Sequence, residues 1–228
     1  MSFKLFEELG KLDTKGIVLL VLGAIAVAAL FAALARSSRR VKNAAPEREL
    51  NGGAGEKKPN VRALVYGALC VSLSFVLSYF KLFELPMGGS VTLLSMLPVT
   101  AYAMAFGPAY GFTAAFAYSL LQVVQGAYVV HWAQFLLDYI FAFTCLGIAS
   151  LFPKSLPLGI AVAGLGRFAC SVLSGVIFFS SYAADAGFQS AWLYSIAYNG
   201  SSLGLDAFLC VLAAFLPAVR RLLDRMKA

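Results

Sequence analysis

Apolar residues gather into seven runs, at about 16–35, 61–80, 90–106, 109–128, 131–152, 156–181 and 193–218, parted by short polar breaks. Crossing about 30 Å of hydrocarbon takes roughly 20 helical residues. Barrel strands alternate apolar and polar positions with period two, and these runs do not. A helix satisfies its own backbone hydrogen bonds in lipid, so the pattern predicts seven transmembrane helices. The run at 90–106 is the shortest and contains Pro98.

Composition agrees. The chain of 228 residues is 61% hydrophobic and only 13% charged, where soluble domains carry about a quarter charged residues. Its net charge of +7 raises the question of a polyanion partner. Eight Lys and Arg lie between Arg36 and Arg62 and four between Arg220 and Lys227. Basic residues at the ends of apolar runs orient a protein in a membrane, which argues against nucleic acid. Cys70, Cys145, Cys170 and Cys210 all fall inside apolar runs, without a CxxC spacing and with a single histidine in the chain. They read as small buried hydrophobes, and neither a metal nor a cofactor is expected.

The first run ends in AALA at 32–35, which resembles a signal-peptide cleavage site. Signal h-regions span about 7–15 residues, shorter than this run, and RSSRR follows it. Residues 1–36 therefore read as an uncleaved transmembrane anchor. Residues 37–60, with ERELNGGAGEKKPN, read as a basic flexible linker. Residues 61–219 form a six-helix membrane domain, and 220–228 a basic cytoplasmic tail. If the linker is cytoplasmic, the Gly107-Pro108 turn, the turn at Lys154 and the tail are also inside. The outer loops, 81–89, 129–130 and 182–192, then hold Lys81 as their only basic residue. This expectation puts the N-terminus outside and the C-terminus in the cytoplasm.

Polar residues inside the runs fall into stripes. Arg167, Ser171, Gly175 and Phe179 recur every fourth residue, and Ser195, Asn199, Ser202 and Asp206 do likewise at spacings of four and three. Each stripe shares one helix face, and intramembrane polar residues face the protein interior or a wet cavity. A pocket open to the outside follows. Arg167 and Asp206 lie at similar depth and suit a structural ion pair. Asp138 has no cation at its own height, although a carboxylate in hydrocarbon costs several kcal/mol. It reads either as an interhelical hydrogen-bonding group or as a carboxylate that meets a ligand. Tyr128, Trp132, Tyr139, Phe179, Trp192 and Tyr194 offer ring faces to a flat ring or organic cation, or form an interfacial belt. GxSxG, Walker A and HExxH motifs are absent, so no catalysis is expected. Uptake would draw its energy from an ion gradient or a partner.

DYIFAFTCLGIASLF at 138–152, GRFACSVLSGVIFFSSYAADAG at 166–187 and YSIAYNGSS at 194–202 resemble the thiamine-specific S components (the ThiT family) of energy-coupling factor transporters. The likeness extends more weakly over about 61–218 and omits the first run. It implies an all-α, six-helix S-component bundle preceded by one extra N-terminal helix. It also implies capture of thiamine outside a prokaryotic cell membrane, then docking onto a T protein with two ATPase subunits. Aligned on these motifs, the ligand contacts fall at Tyr128, Asp138, Ser171, Gly175, Phe179, Tyr194 and Asn199. The family has Glu where Asp138 stands, His at Ser171 and Trp at Phe179, so a thiamine analogue also fits. Gly175 would let a ligand approach its helix closely. The resemblance further implies T-protein docking through small residues of the second run, Ala63, Gly67 and Ala68, with Ser72 a turn later. KLFELPMGGS at 81–90 reads as a mobile cover over the site. A stand-alone secondary transporter, an S component for another vitamin, and a membrane-embedded enzyme or assembly factor are the alternatives.

Overall fold

The computed structural model describes residues 61–85 and 89–228. The expected anchor of 1–36 and linker of 37–60 lie outside the described residues. The elements are α1 (Val61–Tyr79), β1 (Lys81–Glu84), β2 (Ser90–Thr92), α2 (Met96–Phe106), α3 (Pro108–Gly126) and α4 (Trp132–Leu151). They continue with α5 (Leu156–Phe178), the short α6 (Ser180–Asp185), α7 (Ala191–Ala214) and α8 (Pro217–Lys227). Helices α1, α4, α5 and α7 are each long and apolar enough to cross a membrane. The fold is a helical membrane bundle.

The run at 90–106 divides in two. Its first residues pair as β2 with β1 in an antiparallel hairpin, Lys81 opposite Thr92 and Glu84 opposite Ser90. The rest forms α2, only 11 residues long. Pro98 falls in the first turn, where its missing N–H has no helical partner to lose. Seven residues of α2 are buried, among them Met96, Val99, Tyr102 and Met104, and α1, α3, α4, α5, α7 and α8 all pack against it. A helix apolar on every side belongs in the middle of a bundle, and α2 is the axis of this one.

Glycines with left-handed backbone set two helix ends. Gly107, with φ of 86°, turns the chain from α2 into α3, which begins at Pro108. Gly126, with φ of 131°, ends α3, and Tyr128 lies beyond the helix. On the outer faces, Leu69, Leu165 and Phe208 are more than half exposed. Such apolar exposure suits lipid.

One expectation is corrected. Ala63 and Gly67 do not form an outward face, because both are buried. The Tyr102 hydroxyl donates to the Ala63 carbonyl at 2.9 Å, and a Cβ on Gly67 would lie 2.9 Å from that hydroxyl oxygen. They are small so that α1 can close on α2. Ala68 and Ser72 remain exposed. Within the basic tail, residues 220–227 belong to α8, which buries Leu223 and Met226, three positions apart, against the bundle. Lys227 Nζ donates to the Pro153 carbonyl at 2.9 Å, and Arg62 Nη2 to the Arg225 carbonyl at 2.8 Å.

Glycine spacing tests this packing. A Cβ on Gly147 would lie 2.9 Å from Phe112 Cα, a backbone atom that cannot turn aside. Gly147→Ala should therefore cost about 1–3 kcal/mol of stability. Gly200→Ala, with nothing within 4 Å of the added methyl, should cost nothing measurable. Thermal unfolding in detergent checks both.

Candidate ligand-binding site

Helix α4 departs from regular geometry where the chemistry concentrates. Its first turn is capped by His131, whose Nδ1 accepts from the Ala133 N–H at 3.1 Å. Residues Leu136–Phe141 are then π-helical and Cys145–Leu151 wind as a 3₁₀ helix. Single π turns inside α-helices cluster at functional sites because the extra residue re-aims the side chains around it. Asp138 lies within this turn. A second π-helical turn, Gly200–Gly204 of α7, directly follows Asn199.

Asp138 finds its donors on two helices. Gln134, one turn earlier and 2% exposed, donates through Nε2 to Asp138 Oδ2 at 2.8 Å. Ser174 of α5, fully buried, donates to the same oxygen at 2.7 Å. Gln134 Nε2 also donates to the Tyr128 carbonyl at 3.1 Å, and Gln134 Oε1 accepts from the Val130 N–H at 3.2 Å. One amide thus holds the carboxylate and the chain that carries Tyr128. Charge-assisted hydrogen bonds of this kind are about twice as strong as neutral ones.

The carboxylate borders a cavity of about 190 Å³ beneath the hairpin. All seven residues expected to contact a ligand line it. Tyr128 and Phe179 stack with ring centroids 6.3 Å apart and planes 29° apart, and Tyr182 continues the cluster 6.0 Å from Phe179. The Tyr182 phenol beside it raises that of Tyr128 above its ordinary value. Tyr194 and Tyr198 pair at 6.0 Å on α7. Tyr139 also lines the cavity, and its hydroxyl accepts from the Tyr128 N–H at 2.8 Å. Trp132 and Trp192 do not line it, and Trp192 is half exposed on the outer surface.

Asn199 binds across two helices, with Nδ2 donating to the Ser195 carbonyl at 3.0 Å and the Ser171 carbonyl at 3.3 Å. Ser195 in turn donates to the Val172 carbonyl at 2.8 Å. Gly175 has a further reason to be small. A Cβ there would collide with Ser195 Oγ and lie 3.0 Å from Ser195 Cβ. The glycine admits α7 and also lines the cavity.

Arg167 lines the cavity, and its Nη1 stands 3.6 Å from Asp206 Oδ2. The Asp206 side chain is 1% exposed, and its Oδ1 accepts from Thr92 Oγ1 at 2.9 Å. Thr92 and Ser95 hydroxyls share a hydrogen bond of 2.6 Å. The Arg167 guanidinium also lies 4.1 Å from the centroid of Phe143, a cation–π contact. This cluster fastens β2 to α7 and α5. Above it, the Tyr198 hydroxyl accepts from the Gly89 N–H at 2.9 Å, so the expected cover is a hairpin with one end tied to α7.

Gln134, Ser174, Tyr198 and Thr92 were not legible as site residues. Gln134 carried a signal, its spacing of four from Asp138. Ser174 carried one too, three positions from Ser171 and seven from Arg167 on the same face, whereas Thr92, in an apolar run, carried none. Among the described residues, no three His, Cys, Asp or Glu side chains gather as a metal site.

A helical membrane bundle enclosing a cavity with a hydrogen-bonded carboxylate and stacked rings has the form of a membrane protein that binds a small solute. The sequence profile of the thiamine transporter proteins (Thia_YuaJ) matches residues 64–223, and the chain belongs to that family. It is 29% identical over 187 residues to the thiamine transporter ThiT of Bacillus subtilis (strain 168), covering 74% of this chain and 95% of that one. In fold it resembles ThiT from Listeria monocytogenes, with a TM-score of 0.58 at 22% identity, covering 73% of this chain and 94% of the other. These relatives are transporters and not enzymes.

Removing one partner of a buried ion pair costs about 3–5 kcal/mol, because the other charge is left uncompensated. Asp206→Leu should lower stability by that order, and adding Arg167→Met should restore most of it. A double-mutant cycle of thermal unfolding reads the coupling, and additive losses would show that the 3.6 Å contact is not an interacting pair.

Proposed function

We propose that this chain is the substrate-binding (S) subunit of an energy-coupling factor transporter, and that it captures thiamine or a close analogue from outside the cell. The observation that carries the reading is the Asp138 carboxylate, held by Gln134 and Ser174 at the wall of a cavity whose rings Tyr128 and Phe179 stack beside it. Thiamine joins an aminopyrimidine, which donates hydrogen bonds, to a cationic thiazolium ring. A carboxylate answers the first and aromatic faces answer the second. Family membership supports the same ligand. Thiamine is cargo here, not a cofactor, and no chemical step is assigned to the chain.

In this proposal the C-terminus is cytoplasmic, the N-terminus is outside, and the hairpin faces the medium. A T protein and two ATPase subunits supply the energy for reorientation. With Ala63 and Gly67 turned inward, Ala68 and Ser72 are the small residues of α1 open to a T protein.

Titrating purified protein with thiamine in a calorimeter tests the ligand. Saturable binding is expected, and its absence would refute the assignment. Asp138→Asn removes a charged acceptor worth about 1.5–3 kcal/mol, so Kd should rise roughly 10- to 150-fold with folding intact. Coupling is read separately in vesicles. The protein alone should bind thiamine without accumulating it, whereas adding T protein, ATPases and ATP should give uptake. Ala68→Leu should weaken that uptake while leaving Kd unchanged. Accumulation by the protein alone under an ion gradient would instead make it a secondary transporter.

A further inference from the structure

The end of the bundle away from the hairpin carries a feature that ligand capture does not use. Among the described residues, Arg62, Lys154, Arg220, Arg221, Arg225 and Lys227 lie there, with Asp224 as the one acid. They are organised by α8. Val219, Leu223 and Met226 face the bundle, and at 100° per residue the opposite arc runs from Lys227 and Arg220 through Asp224 to Arg221 and Arg225. Leu222, 53% exposed, falls between the buried face and Arg225. Arg221 and Arg225 are one turn apart, so their guanidinium groups share a face beside an outward leucine.

Helix α1 completes the corner. The Arg62 guanidinium bonds to the Arg225 carbonyl at 2.8 Å and lies 5.6 Å from the Tyr66 ring centroid. Val61, Leu64 and Val65 around it are 67%, 54% and 53% exposed, an apolar surface leading up the bundle. Arg62 thus sits against the turn of α8 that carries Arg221 and Arg225, where two exposed apolar surfaces end. Arginine hydrogen-bonds phosphate oxygens in pairs, and the flanking leucine and valines match acyl chains. We propose that Arg62, Arg221 and Arg225 form a binding site for the headgroup of an anionic phospholipid, with Leu222 and Leu64 against its chains. A soluble acidic partner would leave those apolar flanks unused.

The test uses the full chain in vesicles of equal phosphatidylglycerol and phosphatidylcholine, extracted mildly, with the retained lipids counted by mass spectrometry. The wild type should retain phosphatidylglycerol in preference. The Arg221→Gln/Arg225→Gln protein should lose that preference by about fivefold per charge removed. Both changes are on exposed side chains and leave the Arg225 carbonyl in place for Arg62, and unfolding in pure phosphatidylcholine should match the wild type. Should that variant not fold, Arg221→Lys/Arg225→Lys keeps the charge without the paired donors, and weaker retention is expected. Equal retention of the two lipids by the wild type overturns the proposal and leaves the corner to a protein surface. Undiminished preference in the Gln variant also overturns it, as does preference that survives high salt together with the loss of all three arginines.

Discussion

A carboxylate at hydrocarbon depth must find its donors inside the protein, because no water is there to supply them. Asp206 shows how far that requirement reaches. It draws Arg167 from α5 and Thr92 from β2, and Thr92 brings Ser95 at the entry to α2. One buried charge therefore joins the hairpin, the central helix and two long helices. The cavity has its shape because those elements cannot drift apart without stranding that charge.

Asp138 solves the same problem differently. Its donors are neutral, Gln134 and Ser174, and both act on one oxygen. A cation here would have neutralised the group, whereas hydrogen bonds stabilise it and keep its charge available to the cavity. The π-helical turn of Leu136–Phe141 places the residue between both donors. Gln134 also holds the Tyr128 carbonyl, so the polar and aromatic parts of the site are positioned by one side chain. This coupling makes Asp138 and Tyr128 a unit rather than two independent contacts.

The two ends of the bundle divide the work. Near the hairpin, polar side chains turn inward to line a cavity, and Tyr198 ties Gly89 to α7. At the far end, charge turns outward on α8 while its apolar residues cover the end of α2. Between them α2, too short to cross hydrocarbon alone, is buried by every neighbour. Its length is a consequence of the hairpin, which takes the first residues of the same apolar run.

The sequence by itself determined the membrane class, the positions of the long helices and the polar stripes that meet at the cavity. Helical periodicity and hydrophobic length are local properties, and a spacing of four puts side chains on one face in any bundle. The Arg167–Asp206 approach was legible for the same reason, from matched depth. What faces what was decided only by tertiary structure. Ala63 and Gly67 turned inward because Tyr102 packs there, and Gly175 is small where Ser195 packs against it. The tail became α8 because Leu223 and Met226 found an apolar surface. Thr92 joined a buried carboxylate from a position without any sequence signal. A single chain segment specifies its own faces, but the partner of each face exists only once distant segments have packed.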